Sequence, residues 1–320
     1  VPGNSGHIHI RGISTIGKMS NIWVIDGVPG GSVNPNEIES ISILKNAAAQ
    51  AIYGARAANG AILVTTKSGQ RGEPMRINVN VINGSNTLTK AYDLLNTREF
   101  GEMLWLEAEN SGIIGYSHPI YGSGSEPDIP EYVIPARGTD VDHSLYDRQM
   151  AHEDGDDTYL ITKCAKEGTD WQDATYRTAM YHDFNLDITG GTDKMSYGFM
   201  GGYLKEEGIM IHTSHERINL RSNLAFHITD WLELGQRVGV QSTTNLGHRG
   251  DNSEGSLITL SYQMPPFIPV YDVMGYHAGS RVPSTGGHIM NPVFRAWSGR
   301  NNYSKQLSTN GNLYARITVF

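Results

Sequence analysis

Cysteine occurs once in the 320 residues, at Cys164, which rules out an internal disulfide framework and a cysteine-cluster metal site. Long hydrophobic runs are missing too. No stretch approaches the ~20 uninterrupted apolar residues that a membrane helix requires, although this leaves barrel strands open, because their signal is a weak alternation. Basic residues are the minority, 25 Lys and Arg against 33 Asp and Glu for a net charge of −8, and that balance argues against a general nucleic-acid binder. Neither a start methionine nor a secretory leader is visible at the beginning of this sequence. It opens at Val1 on the turn "VPGNSG" and stops within the alternating run "NLYARITVF". Both ends are therefore expected to cut through structure, and a missing targeting segment carries no weight.

Glycine and tyrosine, at 37 and 16 residues, are plentiful and suit turn-rich β structure. Apolar residues make up 38%, too many for a disordered chain. The length allows one large domain or two smaller ones with a sizeable core.

Residues 1–72 read as a compact α/β unit. "HIHIRG" alternates, and "NIWVIDGVP" is a short apolar strand ended by Gly-Val-Pro. "EIESISILK" alternates with two mixed faces. The alanine-rich residues 46–53 form a short helix that Gly54 stops, and "AILVTTK" is the next strand. From residue 75 the texture changes. "MRINVNVING" sets Ile77, Val79 and Val81 against Arg76, Asn78 and Asn80, and a helix is expected over 97–110 with Thr97 and the acids after it as start signals. Residues 111–170 are polar and rich in Gly, Pro and Asp, longer than an ordinary connection. They read as a functional loop or mobile insertion.

The clearest pattern runs over 180–243. Phe184, Leu186 and Ile188 alternate with Asp183, Asn185 and Asp187; Ile218, Leu220, Leu224 and Phe226 alternate with Arg217, Asn219, Arg221 and Asn223. A soluble sandwich alternates as well. Strands of about ten residues, sharply two-faced and beginning near aromatics such as Tyr181 and Trp231, favour a barrel that is apolar outside and polar in its lumen.

"IRG" at 10–12, "VIDGVP" at 24–29 and "NPNEIESISILKNAAAQAIYGARAANGAILVTTKSG" at 34–69 together resemble the plug domain of TonB-dependent outer-membrane transporters, and more narrowly that of the SusC/RagA subfamily of nutrient importers. The later run from "TDWQDATYRTA" to "HITDWLELG" resembles that subfamily's early barrel strands. One departure is Leu44-Lys45-Asn46, where the subfamily commonly has Leu-Lys-Asp; Asn also caps a helix well. The resemblance implies a transmembrane β-barrel of about 22 strands with an α/β plug in its lumen. Residues 1–72 would be the C-terminal part of the plug, and 73–320 the first few barrel strands with the loop insertion around 111–170. It implies TonB-dependent import, not an enzyme, in the outer membrane of a Gram-negative bacterium. The implied partners are a SusD-like surface lipoprotein acting as a lid, the TonB–ExbB–ExbD complex, outer-membrane lipid and an oligopeptide or oligosaccharide; nucleic acid is not among them.

The resemblance marks Arg11, Gly12, Asp26, Gly27, Lys45, Tyr53, Gly54 and Gly60 as plug motif positions with structural or gating roles. Small residues such as Ala47 to Ala49 allow close approach, and Gly54 and Gly60 allow tight bends. Arg11 is expected either to pair with a barrel carboxylate, an ion pair that would open on switching, or to sit against backbone carbonyls. In the loop 26–37, Asn34, Asn36 and Glu37 are candidates to face substrate. So are Arg217, Asn219, Arg221 and Asn223, for which contact with the plug or neighbouring strands is the ordinary alternative. Their chemistry tilts faintly towards peptide.

No cofactor is expected. "HEDGDDTY" offers Asp154, Asp156 and Asp157 as weak Ca²⁺ ligands, without EF-hand spacing, and a solvated loop is the plainer reading. His7 and His9 share a strand face without a third ligand. Cys164 reads as an idle thiol. A siderophore- or cobalamin-type receptor of the wider TonB-dependent class is one rival; a non-transporting plugged barrel in adhesion or signalling is another.

Overall fold

The structure, a computed structural model, describes residues 2–3, 21–45, 47–57, 59–133, 144, 146–147, 161–248, 255–279 and 289–319. Two bodies of sheet lie against each other. The first is a four-stranded sheet in the order β2-β1-β4-β3, built from β1 (Ile22–Ile25), β2 (Val28–Pro29), β3 (Ile38–Leu44) and β4 (Ala61–Thr66). Strands β1 and β4 run parallel, joined through α1 (Ala47–Tyr53). Ile22, Val24 and Ala61 face α1 and meet Ala49 and Ala57, while Ile25, Ile62 and Val64 pack on the opposite face with Trp23, Val33 and Ile38 around them. Alanines let the helix come close to the sheet.

"VIDGVP" is not a strand with a stop. Asp26 and Gly27 both adopt positive φ, 51° and 87°, and Val28–Pro29 pairs back on Val24 and Ile25. Asp-Gly is the pair that suits such a two-residue turn, so a hairpin forms where the sequence suggests an end.

The second body begins with β5 (Arg76–Asn86). After an excursion containing α2 (Thr97–Asn110), the short pair β6 (Tyr132–Val133) and β7 (Thr162–Lys163), and α3 (Trp171–Thr175), the chain returns as β8 (Ala179–Gly191), β9 (Met195–Glu207), β10 (Ser214–His227) and β11 (Leu232–Leu246). A second excursion carries α4 (Leu257–Gln263) and α5 (Pro292–Ser298) before β12 (Tyr303–Ile317). The six long strands form one antiparallel meander, β12-β11-β10-β9-β8-β5, which does not close on itself.

This sheet is inverted relative to a soluble protein. Asp183, Asn185 and Asp187 are buried against the first body, whereas Phe184 between them is exposed; Asn219, Arg221 and Asn223 are buried while Ile218 and Leu220 face out. Strands of 11 to 15 residues with lipid-compatible outer faces are a barrel wall. Trp231 sits exposed in the β10–β11 turn, as an interfacial aromatic would. Tyr181 does not belong to that girdle: it shares the inward face with Asp183 and donates to it at 3.4 Å.

The connections separate by length. Turns 192–194 and 228–231 lie at one end of the wall; the link 208–213 and the excursions 87–178 and 247–302 lie at the other. The excursions pack on each other as a cap with its own core. Ile120, Tyr121, Cys164 and Trp171 from the first meet Met264, Phe267, Ile268 and Val293 from the second, and the Trp171 indole N–H donates to the Pro265 carbonyl at 3.1 Å. The described parts of 111–170 are thus a folded half of the cap, ordered by a partner segment distant in sequence. Helix α2 matches the expected span, but its N-cap is Asn96, one residue before Thr97, in a reciprocal capping box with Glu99.

Candidate functional site: the plug–wall seam

The short Asp26-Gly27 turn aims the Asp26 carboxylate back at its own sheet, where it accepts from the Thr66 amide at 2.9 Å and the Thr66 hydroxyl at 2.7 Å. The same carboxylate faces the wall, 3.5 Å from Arg221 and 3.5 Å from Arg237. Eight residues on, Asn34 caps the 3-10 turn Pro35–Glu37, which buries Glu37 beside the same arginine. The Arg221 Nε donates to Glu37 at 2.7 Å, and its other nitrogens reach Asp26 and Asn310. The side chains of Arg221, Asp26 and Glu37 are only 3–4% exposed. Two carboxylates of one body and two guanidiniums of the other balance there, the condition under which charges tolerate burial.

A second contact is made of amides. Asn34 donates to Asn185 at 2.8 Å and to Asn219 at 3.1 Å, and accepts from Arg217 at 3.2 Å; Asn219 in turn donates to Glu37. Asn185, Gly202 and Asn219 stand side by side on β8, β9 and β10. A Cβ built on Gly202 would lie 2.6 Å from the Asn219 oxygen, 2.8 Å from that of Asn185 and 2.8 Å from the Asn34 nitrogen. The bare glycine is the notch through which Asn34 bridges two strands. Gly239 does the same for Arg221, whose guanidinium occupies the space its Cβ would fill, 2.5 Å away.

Three further ties run down the seam. Asn223 donates to the Thr66 hydroxyl and the Lys67 carbonyl, both at 2.8 Å; Lys67 pairs with Asp187; and Asn312 donates to the Asp26 carbonyl at 2.8 Å. Near-complete pairing of buried polar groups is what burial demands, but the chemistry is unlike an ordinary core. Separating such a seam in a wet lumen exchanges each protein hydrogen bond for one to water, a net of roughly 0.5–1.5 kcal/mol apiece, and exposes little apolar surface.

The structure therefore brings Asp26, Asn34, Glu37, Arg217, Asn219, Arg221 and Asn223 into one interface, where each makes at least one hydrogen bond or ion pair across it while the Arg217 Nε and the Asn223 Oδ1 are buried without a partner. Asn36 is half-buried and stays within its own turn, its amide donating to Asn34. Gly27, Gly54 and Gly60 take positive φ, Tyr53 packs beside the plug core, and Lys45 is exposed at the end of β3. Arg11, Gly12, His7, His9, Asp154, Asp156 and Asp157 lie outside the described residues. Among the described residues no group of three or more His, Cys, Asp or Glu is arranged to hold a metal. Sequence reasoning missed Asp26 as an ion-pair partner, Arg237, Lys67, Asp187 and the two notch glycines. The signal for Gly202 was present in "GFMGGYL": a glycine on the inward parity of a wall strand leaves a gap that something must fill.

Comparisons with known proteins agree with this architecture. The model of the TonB-dependent Receptor Plug Domain matches residues 1–61. TonB-dependent receptor P3 of Formosa agariphila is 28% identical over 298 residues, 91% of this chain and 24% of the relative. TonB-dependent receptor SusC of Bacteroides thetaiotaomicron is 25% identical over 283 residues, 84% of this chain and 23% of the relative. Among solved structures, the RagAB peptide importer in its open-open state superposes with a TM-score of 0.71 at 24% identity, over 98% of this chain and 34% of that one. The chain spans about a quarter of the length of these curated relatives. A four-stranded plug tied by a polar seam to an inverted wall thus goes with sequence similarity to the TonB-dependent receptor plug over residues 1–61 and to SusC-type TonB-dependent receptors over most of the chain.

Proposed function

We propose that this chain supplies the plug and the first wall strands of an outer-membrane importer that takes up an oligomeric nutrient, an oligopeptide or an oligosaccharide. Energy comes from TonB–ExbB–ExbD, and a SusD-like lipoprotein closes the outward side. The observation that carries the reading is the seam itself. A plug held by apolar packing would resist removal in water, whereas one held by buried but balanced charges and amides re-solvates as it moves. In this mechanism Asp26 and Glu37 seat the plug on Arg221 and Arg237, and a pull from the periplasm breaks those ties first. The short turns face the periplasm and the cap faces outward, as in other barrels of this kind.

The test is uptake by cells that carry the full-length transporter. Labelled oligopeptides and oligosaccharides are offered with and without TonB and with and without a SusD-like lipoprotein. Import of an oligomer that stops on loss of TonB and falls on loss of the lipoprotein supports the proposal. Uptake of an iron chelate or cobalamin with no lipoprotein requirement, or no uptake at all, refutes it.

A further inference from the structure

We propose that the cap carries a receptor for the cationic side chains of a peptide, lysine or arginine, in the groove between α2 and the segment that follows it; this rests on the import reading above and narrows its substrate. The groove is a cavity of about 640 Å³, within the size range of small-ligand sites. Its wall is Trp105, held in place rather than loose. The indole N–H donates to the Gly124 carbonyl at 3.1 Å, and Tyr116 packs edge-on with ring centroids 5.1 Å apart. Leu106 and Ile113 add apolar surface.

The polar side of the groove has one sign. Glu102, Glu109 and Glu126 line it, and no Lys, Arg or His does. Among the described residues none of the three carboxylates is in an ion pair. Burial, and after it the charge of Glu107, raises the Tyr116 hydroxyl above its ordinary value, so Glu107 adds to the negative field. The carboxylates are spread around a cavity and are not gathered on a point, and no metal cluster exists among the described residues, so a bare divalent cation is a poor fit. A lysine or arginine meets every part of the groove: its methylene stem covers Leu106 and Ile113, its charge lies over the indole face, and the carboxylates receive its N–H groups. A neutral oligosaccharide gains nothing from the concentrated negative potential.

The experiment is a binding titration of the purified full-length transporter in detergent, followed by calorimetry and by tryptophan emission. The probes are trilysine, trialanine and maltotriose, each at low and high salt. Trilysine is expected to bind roughly tenfold or more tightly than trialanine, to lose that advantage in the triple variant E102Q/E109Q/E126Q, and to weaken with salt. The W105F variant is expected to lose the emission change and weaken trilysine binding. Equal binding of trialanine, tighter binding of maltotriose, or trilysine affinity untouched by the three Gln substitutions and by salt overturns the proposal. Should the triple variant misfold, the wild-type salt dependence and probe order decide alone. Uptake separates this from the import reading: a transporter that imports trialanine but shows no trilysine preference leaves import intact and removes the groove, whereas one that imports no oligomer sinks the reading beneath it.

Discussion

At the scale of single residues, the seam turns on Arg221 and on two places where a side chain is missing. Replacing Arg221 with Leu leaves Asp26 and Glu37 buried without their shared partner, a loss of about 3–5 kcal/mol for an unpaired buried ion. Hydrogen exchange at the Thr66 amide and along β4 should accelerate accordingly, while the cap stays protected. Gly202→Ala acts differently, by overpacking. Its Cβ would press on three amides at 2.6–2.8 Å, which predicts about 1–3 kcal/mol of plug destabilisation. Gly84→Ala on β5, where a Cβ meets nothing within 4 Å, should leave plug exchange unchanged, and the pair is read by the same exchange measurement. The seam residues of β10 were legible from alternation alone, because Arg217, Asn219, Arg221 and Asn223 sit opposite a greasy face. Their partners on the plug were less so: Asp26 reads as a turn residue, and only the fold shows that the turn points it at two arginines.

At the scale of elements, the cap and the wall hold by opposite rules. The wall buries its polar face, and the cap buries Trp171, Tyr121 and Phe267. Two titratable groups report on the cap. Cys164 lies in its core, and burial pushes the thiol up to about 11. Thiolate is therefore scarce at pH 8, and a thiol-reactive chromophore should label Cys164 only after denaturation; rapid labelling of the native protein would place Cys164 at the surface. His118 is buried too, and its Nδ1 accepts from the Ile120 and Tyr121 amides at 3.2 and 3.3 Å. Burial holds its pKa below the usual value of about 6.5. The unfolded cap thus takes up the proton first as pH falls, so the cap is at full stability above about 6.5 and loses it below, down through the folded pKa. Cap melting followed by near-ultraviolet circular dichroism should show this acid loss, and H118F should remove it. Strand periodicity, the alanine helix and α2 could be read in the sequence because each is a local signal. The pairing of two excursions separated by four wall strands could not, since it depends on scattered aromatics that form a core only when both segments are present.

At the scale of the whole molecule, the chain is a wall turned inside out and a small sheet that fills its wet side. Each body has its own packing, the plug around α1 and the wall along its ladder, and the face the wall turns to the plug is mainly polar, with Met200, Leu204 and Ala225 its buried apolar side chains. That division separates what must stay folded from what must move. The measurement that tests it most directly is a reversible bridge across the seam. Asn34 and Asn219, whose amides lie 3.1 Å apart, become cysteines in the full-length transporter and are linked with a short bis-methanethiosulfonate reagent in cells that are importing, when the open seam admits it, while Cys164 stays within the cap core. Uptake of the oligomeric substrate should stop on bridging and return when the bridge is reduced, with either single cysteine unaffected by the reagent. Import at the unbridged rate through a fully linked transporter would mean that the seam does not open, and the account of the plug would be wrong.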